Sequence, residues 1–450
     1  MRQDAAVRAA FRVFAVEDDT VQLTWTALPA PEVTVEVGDG TVDVVATPPA
    51  FLRRRGRRPR PLTGPLSLAG PLSLAEPLSL AGPGPGGGRE PSGAGGWPSA
   101  GQARGGFGGP GAVTVGGLVA DETYDVCVAG PDLPRTKVAA VTTLRPPPGR
   151  LLFRLATISD LHLGEGHFGA AKTIEDVNPL PAGWDPYPER CARAAIAEAW
   201  EWGAQLLAVK GDLTRDSEPV ELHEAGRLLA GAPMPVIANL GNHDVRHGAD
   251  VVGLLAGYGV AGTSEPAAYD VPGLRIVLGH TPLPTHKHGR VAGPQRAALA
   301  DLTGGADGGA LVLLHHQLAT SRVPLCYPPG VASAEARPLL DALGAANPAT
   351  FISSGHTHRN RRHTGGALGP LVATEVGSTK DYPGVWAGYA VHEGGIRQVV
   401  RRVADPTALA WTESTGEALY GWWGRWSAGR RELRCFSHPW PERHRARPST

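Results

Sequence analysis

Beyond residue 150, apolar residues occur in short continuous runs, and each run stops at a glycine or a polar residue. Continuous runs of this length predict strands that are buried on both faces. The stretch 189–203 instead has apolar residues at helical spacing, which predicts a helix after the first of these strands. The five predicted strands cover 151–158, 206–209, 236–240, 311–314 and 351–354.

Before residue 146 the pattern changes to alternation of apolar and polar residues, at 21–25, 33–37, 118–128 and 138–144. Alternation predicts half-buried strands, and short alternating strands separated by turns are typical of a small antiparallel β-sandwich. Trp25, Tyr124 in the pattern L-x-x-x-x-x-Y-x-V-x-V and the exit TTLRPPPG resemble a fibronectin type III domain.

Composition alters this picture in one segment. The 450 residues include 60 Gly and 42 Pro, against roughly 12% of residues for the two types together in average proteins. Nearly half of 53–112 is Gly or Pro, including the consecutive hexapeptides GPLSLA, GPLSLA and EPLSLA after a basic run, RRRGRRPR. Regular proline blocks helices and central strands, so we expect a disordered insertion here.

These patterns predict a small all-β domain followed by an α/β domain. The β-sandwich covers 1–145 and is interrupted by the insertion at 53–112. A Pro-rich linker follows at 146–150, the α/β domain covers 151–402, and 403–450 is an extension rich in Trp and Arg. We expect the aromatic residues of the extension to dock onto the α/β domain, with stacking on a nucleobase or sugar as the alternative.

The ends of the predicted buried strands carry residues that bind metals. Carboxyl ends of strands in open α/β sheets can converge on one site. The set combines carboxylate, imidazole and amide groups without sulfur, which suits Mn, Fe or Zn. Seven ligands exceed one tetrahedral site and match two divalent ions that share a carboxylate and clamp a phosphoryl group. The candidates are Asp160, His162, Asp212, Asn242, His315, His356 and His358.

The ordered motifs D-x-H, G-D, G-N-H-D, H-H and G-H-x-H resemble the calcineurin-like metallophosphoesterase family, most closely its cyclic-nucleotide phosphodiesterase-like branch. The resemblance implies a four-layer α-β-β-α sandwich with a dinuclear metal centre. His315 is preferred to His316 because the family ligand directly follows the strand. The resemblance assigns Asp160, His162 and His358 to the first metal, Asp212 to a bridging position, and Asn242, His315 and His356 to the second.

The same resemblance assigns catalytic roles to His243 and Asp244. His243 would be a non-ligand histidine that stabilises the transition state or protonates the leaving group, with Asp244 orienting its imidazole. The implied reaction is attack of a metal-bridging hydroxide on a phosphoric ester, with small phosphodiesters favoured. Phosphomonoesters and pyrophosphates are the alternatives at the same site.

Charge, cysteine content and hydropathy narrow the classes of protein that remain to be considered. Lys+Arg and Asp+Glu number 43 each, and this balance argues against nucleic-acid or membrane partners and weakens a nuclease hypothesis. Four cysteines without a C-x-x-C pair exclude a disulfide scaffold and a thiolate zinc module. With neither a signal-like segment nor a spanning apolar run, we expect a soluble cytoplasmic enzyme. A non-catalytic binding protein with a fibronectin-like adhesion module is the alternative of another class, and the intact ligand set argues against it.

Overall fold

The computed structural model describes residues 2–45, 108–131, 133–168, 186–321 and 327–442. The helices are α1 (Arg2–Ala10), α2 (Tyr187–Glu201), α3 (Pro219–Ala230), α4 (Val251–Gly257), α5 (Gly293–Gly304), α6 (Ser333–Ala346), α7 (Pro406–Gly416), α8 (Trp422–Ala428) and α9 (Arg431–Arg434). The first seven strands are β1 (Phe11–Val16), β2 (Val21–Trp25), β3 (Glu32–Val37), β4 (Gly40–Val45), β5 (Gly111–Val115), β6 (Thr123–Gly130) and β7 (Leu133–Thr142). The others are β8 (Leu151–Ile158), β9 (Leu206–Lys210), β10 (Val236–Asn239), β11 (Ala261–Thr263), β12 (Ala267–Val271), β13 (Leu274–Leu278), β14 (Gly309–Leu314), β15 (Thr350–Ser354), β16 (Arg361–Thr364), β17 (Val372–Glu375), β18 (Val385–His392), β19 (Gly395–Arg402) and β20 (Phe436–Pro439).

The N-terminal strands form two antiparallel sheets, β1-β2-β5 and β4-β3-β6-β7. One apolar core joins them, and it includes Leu23, Trp25 and Val35. Alternation therefore predicted strands here correctly, although the strand expected over 118–128 begins only at Thr123. The preceding residues turn, with Asp121 at φ 63°. The resemblance to fibronectin type III stays a prediction.

The predicted insertion at 53–112 lies outside the described residues except for 108–112. Within that remainder, β5 already begins at Gly111. The sandwich thus resumes two residues before the predicted end of the insertion.

The second part of the chain contains a larger sandwich of two mixed sheets. Their strand orders are β11-β10-β9-β8-β18-β19-β20 and β12-β13-β14-β15-β17-β16. Leu155, Leu313 and Phe351 belong to the core between the sheets. Helices α2, α3, α4 and α7 cover the outer face of the first sheet, and α5 and α6 cover that of the second. The predicted four-layer α/β architecture is confirmed, and β8 to β10, β14 and β15 match the five apolar runs.

The boundary predicted at residue 402 is wrong, because the segment that follows belongs to the larger sandwich. Strand β20 pairs with β19 at the edge of the seven-stranded sheet. Trp440 packs against Gly309, where a Cβ would lie 2.3 Å from the indole. Trp411 stacks on Tyr187 with ring centroids 3.7 Å apart. These aromatic residues therefore dock the segment onto the α/β layers, as expected.

Buried polar contacts join the two sandwiches. Glu17, which follows β1, accepts hydrogen bonds from Trp202, Arg397 and Arg401. The Gln22 side chain exchanges two hydrogen bonds with the backbone of Arg402.

No helix in the described part of the chain is long and apolar enough to cross a membrane.

Candidate metal centre

The seven predicted ligands come together at the carboxyl ends of strands from both sheets of the larger sandwich. Asp160 and His162 follow β8, and Asp212 follows β9. Asn242 follows β10, whereas His315 follows β14 directly. The last two ligands, His356 and His358, follow β15. All seven are buried except His358, which is nearly so.

The donor atoms fall into overlapping groups. Those of Asp160, His162 and His358 lie within 4.8 Å of one another, and so do those of Asp160, Asp212 and His315. The two carboxylate oxygens of Asp212 face different histidines: Oδ2 lies 3.4 Å from Nε2 of His162, and Oδ1 lies 3.4 Å from Nε2 of His315. Asp212 therefore stands between two clusters of ligand atoms.

The remaining predicted ligands lie around His315. Its Nε2 is 3.2 Å from Oδ1 of Asn242, and its ring centroid is 5.0 Å from that of His356. The Nδ1 atom of His315 is held by the backbone carbonyl of Lys210 at 2.8 Å. His315 thus has one nitrogen directed at Asn242 and Asp212, while the other is fixed by the backbone.

The backbone at the site adopts a conformation that L-residues rarely take. Asp160, His162, Asp212, His356 and His358 all have φ between 48° and 65°. Such residues each cost on the order of 1 kcal/mol or more, and they persist only where the surroundings enforce them. Five of them at one edge of the sandwich mark a site built for chemistry at the expense of stability.

Glycines beside the ligands allow the loops to approach closely. Gly211 has a φ of 77°, and a Cβ on it would meet the backbone nitrogen of Gly241 at 2.5 Å. A Cβ on Gly241 would lie 2.2 Å from the Asp212 carboxylate, and one on Gly355 would lie 2.6 Å from that of Asp160. The need for glycine at 241 and 355 is therefore steric, because side chains there would collide with ligands.

Electrostatics divide the histidines into two kinds. Burial alone would lower the pKa of His358, but the charges of Asp381 and Asp160 outweigh it and raise the pKa to about 10. Burial is likewise outweighed at His315, where the Asp212 charge raises the pKa to about 9. At His162 burial and the charge of His243 prevail and lower the pKa to about 4. The carboxylates thus make the cluster a favourable place for positive charge.

The donor set fits divalent metal ions. The Nε2 atom of His162 is buried and has no hydrogen-bond partner among the described residues. The 3.4 Å separations of His162 and His315 from Asp212 and of His358 from Asp160 are too long for good hydrogen bonds. They match the roughly 3.4 Å expected between two donor atoms of the same tetrahedral ion when each lies about 2.0–2.2 Å from it. Imidazole and carboxylate together suit Mn, Fe or Zn.

His243 lies at the edge of this cluster, with its ring centroid 4.4 Å from that of His162. Its Nδ1 is hydrogen-bonded to the backbone carbonyl of Arg215, and its Nε2 accepts from the guanidinium of Arg246 at 3.0 Å. Its donor atoms also lie within 4.8 Å of those of His162 and Asp212. Because the protein engages both ring nitrogens, the geometry agrees better with a non-ligand histidine.

The prediction that Asp244 orients this imidazole is wrong. The Asp244 carboxylate accepts hydrogen bonds from the backbone nitrogens of Gly241, Leu213 and Thr214 and from the Thr214 hydroxyl. It therefore ties the turn that carries Asn242 to the turn that carries Asp212. The Arg215 carbonyl, which no side-chain motif could reveal, contacts His243 instead.

Sequence reasoning preferred His315 to its neighbour His316 and missed two further residues at the site. His316 is buried beside His356, at 4.3 Å between ring centroids, and its Nε2 has no partner among the described residues. Its Nδ1 contacts the Thr281 hydroxyl at 2.8 Å. Donor atoms of His315, His316 and His356 lie within 4.8 Å of one another, so His316 is a further candidate ligand. Arg246 and, on the other side, Asp381 were also missed. A polar run, 378–381, follows β17 just as the ligands follow their strands, and that signal could have pointed to Asp381.

The fold and the ligand cluster together define an α/β sandwich with a candidate metal centre, and comparison with known proteins gives a family match for part of this sandwich. Residues 153–360 match the calcineurin-like phosphoesterase family. The chain therefore contains a calcineurin-like phosphoesterase domain, and this family consists of metal-dependent phosphoester hydrolases that typically bind two metals. Comparison with curated protein sequences returned no match.

Comparison with solved structures also returned matches. A structure of PhoD aligns over 89% of this chain and 88% of its own at 9% identity, with a TM-score of 0.37. The purple acid phosphatase PPD1 from yellow lupin (Lupinus luteus) seeds aligns over 88% of this chain and 73% of its own at 12% identity, with a TM-score of 0.41. The phosphopantetheinyl hydrolase from Mycobacterium tuberculosis aligns over 51% of this chain and 90% of its own at 14% identity, with a TM-score of 0.32.

Proposed function

We propose that the chain is a dinuclear, metal-dependent phosphoesterase that acts on small phosphodiesters. The observation that carries the proposal is the position of Asp212, whose two oxygens face His162 and His315 at 3.4 Å each. A carboxylate with one oxygen directed to each of two ligand clusters is suited to bridge two ions. Two ions about 3.5–4 Å apart are the arrangement that clamps a phosphoryl group during in-line displacement.

The seven predicted ligands would form two metal-binding sites. Asp160, His162 and His358 would hold the first, Asn242, His315 and His356 the second, and Asp212 would contact both. When bound, the ions would supply Lewis-acid chemistry that withdraws charge from phosphoryl oxygens and lowers the pKa of water at the site to about 7. The protein positions the ligands beforehand, since the strand ends and strained turns already bring their donor atoms together.

His243 would donate a proton to the oxygen atom of the leaving group. The Arg215 carbonyl engages its Nδ1, which leaves Nε2 as the nitrogen that can exchange a proton with a leaving group. An N–H of Arg246 occupies Nε2 in this structure. Two donors cannot face each other, so proton donation by His243 requires Arg246 to release it. A substrate phosphoryl oxygen that attracts the guanidinium would bring about this release.

A phosphomonoesterase is the second candidate, and Arg246 is the observation that favours it. Its side chain is 30% exposed, and its guanidinium lies beside His243 and is held by an ion pair with Asp216. A monoester dianion offers more charge and one more free oxygen than a diester, and a guanidinium fork is suited to two phosphate oxygens. Arg246→Ala should then lower monoester turnover more than diester turnover.

A substrate panel tests the proposal. The purified chain with Mn²⁺ is assayed on bis-p-nitrophenyl phosphate, p-nitrophenyl phosphate, cyclic AMP and single-stranded DNA. Turnover of diesters would support the proposal. Turnover of monoesters alone would favour the phosphomonoesterase instead. Inactivity with each of Mn, Fe and Zn would contradict both candidates. The binding-protein alternative predicts that last outcome.

His243→Ala tests the catalytic assignment within the same panel. Turnover should fall roughly 10²–10⁴-fold, the usual contribution of a positioned acid or base, while both ions remain bound. His223→Ala is the matched control, because His223 contacts Tyr258 rather than the ligand cluster. Loss of an ion from the His243→Ala protein would show that His243 is a ligand instead.

A further inference from the structure

Both histidines assigned to the first metal have their Nδ1 atoms directed at a carboxylate behind them. Nδ1 of His358 lies 2.7 Å from Oδ2 of Asp381, and Nδ1 of His162 lies 3.7 Å from Oε2 of Glu165. The first distance is a hydrogen bond, whereas the second is a longer contact between a carboxylate and a neutral imidazole. Both Nε2 atoms are directed forward, toward Asp212 and Asp160.

One ammonium group joins the two carboxylates. Nζ of Lys380 lies 2.8 Å from Oε1 of Glu165 and 3.1 Å from Oδ2 of Asp381. The side chains of Lys380 and Asp381 are 2% and 0% exposed, and that of Glu165 is 13% exposed. Tyr187 donates a further hydrogen bond to Glu165. The network contains two carboxylates and one cation, so it retains a negative charge behind the histidines.

The loop that carries Lys380 is anchored to the first metal position. The Ser378 hydroxyl donates to the backbone carbonyl of Asp160 at 3.0 Å. The Trp411 indole donates to the backbone carbonyl of Lys380 at 2.9 Å, from helix α7. The loop is therefore fixed from both sides, and the Lys380 side chain that it carries is 2% exposed.

We propose that Lys380 is a positioning residue that couples the two histidines of the first metal into one rigid unit. It fixes the carboxylates of Glu165 and Asp381: Asp381 orients the ring of His358 through a hydrogen bond, and Glu165 lies against Nδ1 of His162. Both Nε2 atoms would then be held toward the same ion. A buried ion pair is a poor source of stability because of its desolvation cost. Its position behind two ligand rings gives it a use, since carboxylates behind ligating histidines orient the rings and raise their basicity.

The inference rests on the proposed metal centre, and its readout is metal affinity instead of turnover. Metal-free full-length protein is titrated with Mn²⁺ in a calorimeter, and the wild type should bind two ions. Lys380→Met should weaken one binding step roughly 10–100-fold, the usual cost of losing such support, and leave the other within about threefold. Asp381→Asn should weaken the same step.

Arg397→Met is the matched control. Arg397 is a buried cation on β19 that is paired with Glu17 at 3.5 Å, and the described partners of Glu17 include Trp202 and Arg401 but no predicted metal ligand. Equal weakening by Lys380→Met and Arg397→Met would overturn the proposal in favour of a general structural effect. An unchanged Lys380→Met isotherm would overturn it alone, whereas a wild type that binds no ion would overturn the metal centre as well.

Should Lys380→Met fail to fold, Glu165→Gln takes its place, because that variant keeps the shape of the side chain and removes one of the carboxylates. Circular dichroism and the thermal midpoint establish folding before titration. Glu165→Gln should weaken the same single step, and wild-type affinity in this variant would contradict the coupling of the two histidines.

Discussion

The two halves of the ligand cluster have similar contacts at the Nε2 atoms of their histidines and different contacts at the Nδ1 atoms. His358 and His315 each direct Nε2 at a carboxylate oxygen 3.4 Å away, on Asp160 and Asp212 respectively. Behind them, Nδ1 of His358 meets the Asp381 side chain, whereas Nδ1 of His315 meets the backbone carbonyl of Lys210. Backbone support follows from the course of strand β9 and persists in any sequence with this fold. Side-chain support can be removed by one substitution.

The largest effect is expected where the two halves meet. Asp212→Asn removes one negative charge from the carboxylate that faces both clusters, so both ions should bind weakly. Turnover should fall roughly 10³-fold or more, because Lewis-acid stabilisation of this kind contributes several kcal/mol. Steady-state kinetics at saturating Mn²⁺ measure it, and wild-type turnover would rule out a bridging role.

Asp381 gives a smaller and one-sided effect. Asp381→Ala leaves the His358 Nδ1 without its carboxylate, so the first ion should bind roughly 10–100-fold more weakly while the second is retained. Calorimetric titration with Mn²⁺ resolves the two steps. Equal weakening of both steps would contradict the division into independent halves.

Glu198 is a largely buried carboxylate for which the described residues provide no cation, and it extends the comparison to the effect of pH. Asp381 lies beside Lys380 and His358, and although burial opposes them their charges lower its pKa. Among the described residues, Glu198 accepts hydrogen bonds from Trp386 and from the backbone of Ala404 and Asp405, and burial raises its pKa from 4.5 to about 7. In the folded protein Glu198 is therefore protonated below about pH 7. The contribution of Glu198 to folding is complete below about pH 4.5 and is lost as the pH rises to 7.

The corresponding measurement compares the unfolding free energy of wild type and Glu198→Gln at pH 5 and pH 8. The wild type should lose on the order of 2 kcal/mol relative to the variant between these values. A difference that does not change with pH would show that Glu198 is ionised throughout.

The smallest effect on metal binding is expected at Lys210. Its ammonium donates to Ser353 and Ser354 at 3.1 Å, and only its backbone carbonyl contacts His315. Lys210→Met should cost about 1 kcal/mol of stability for the lost hydrogen bonds and leave Mn²⁺ affinity within about threefold of wild type. A large loss of affinity would mean that backbone support is not independent of the side chain.

The contrast between side chain and backbone also explains what the sequence could predict. Every predicted ligand lies within a few residues after one of the predicted strands, so the strand pattern and the motif order indicate Asp160, Asp212 and His315 from the sequence alone. Lys380 and Asp381 follow β17, whose short sequence VATE shows no continuous apolar run. Their partners, Glu165 and His358, lie far away along the chain, and only the folded topology brings these groups together.

Other errors have the same physical origin. Asp244 adjoins His243 in sequence, but the turn directs its carboxylate to backbone amides, while Arg215 from the β9 loop meets the imidazole. The boundary at 402 failed because β20 is only four residues long and is identified as a strand by its pairing with β19. Local pattern predicts an element that buries apolar surface, but it does not show which distant element completes a sheet.

The most direct test of the account follows activity as the metal-free protein is reconstituted. Mn²⁺ is added stepwise, and hydrolysis of bis-p-nitrophenyl phosphate and p-nitrophenyl phosphate is measured at each ratio of ion to chain. We predict that two ions bind per chain and that turnover appears only as the second ion binds, with neither behaviour in Asp212→Asn. Full turnover with one ion, or two bound ions without turnover on any phosphoester, would contradict a dinuclear phosphoesterase.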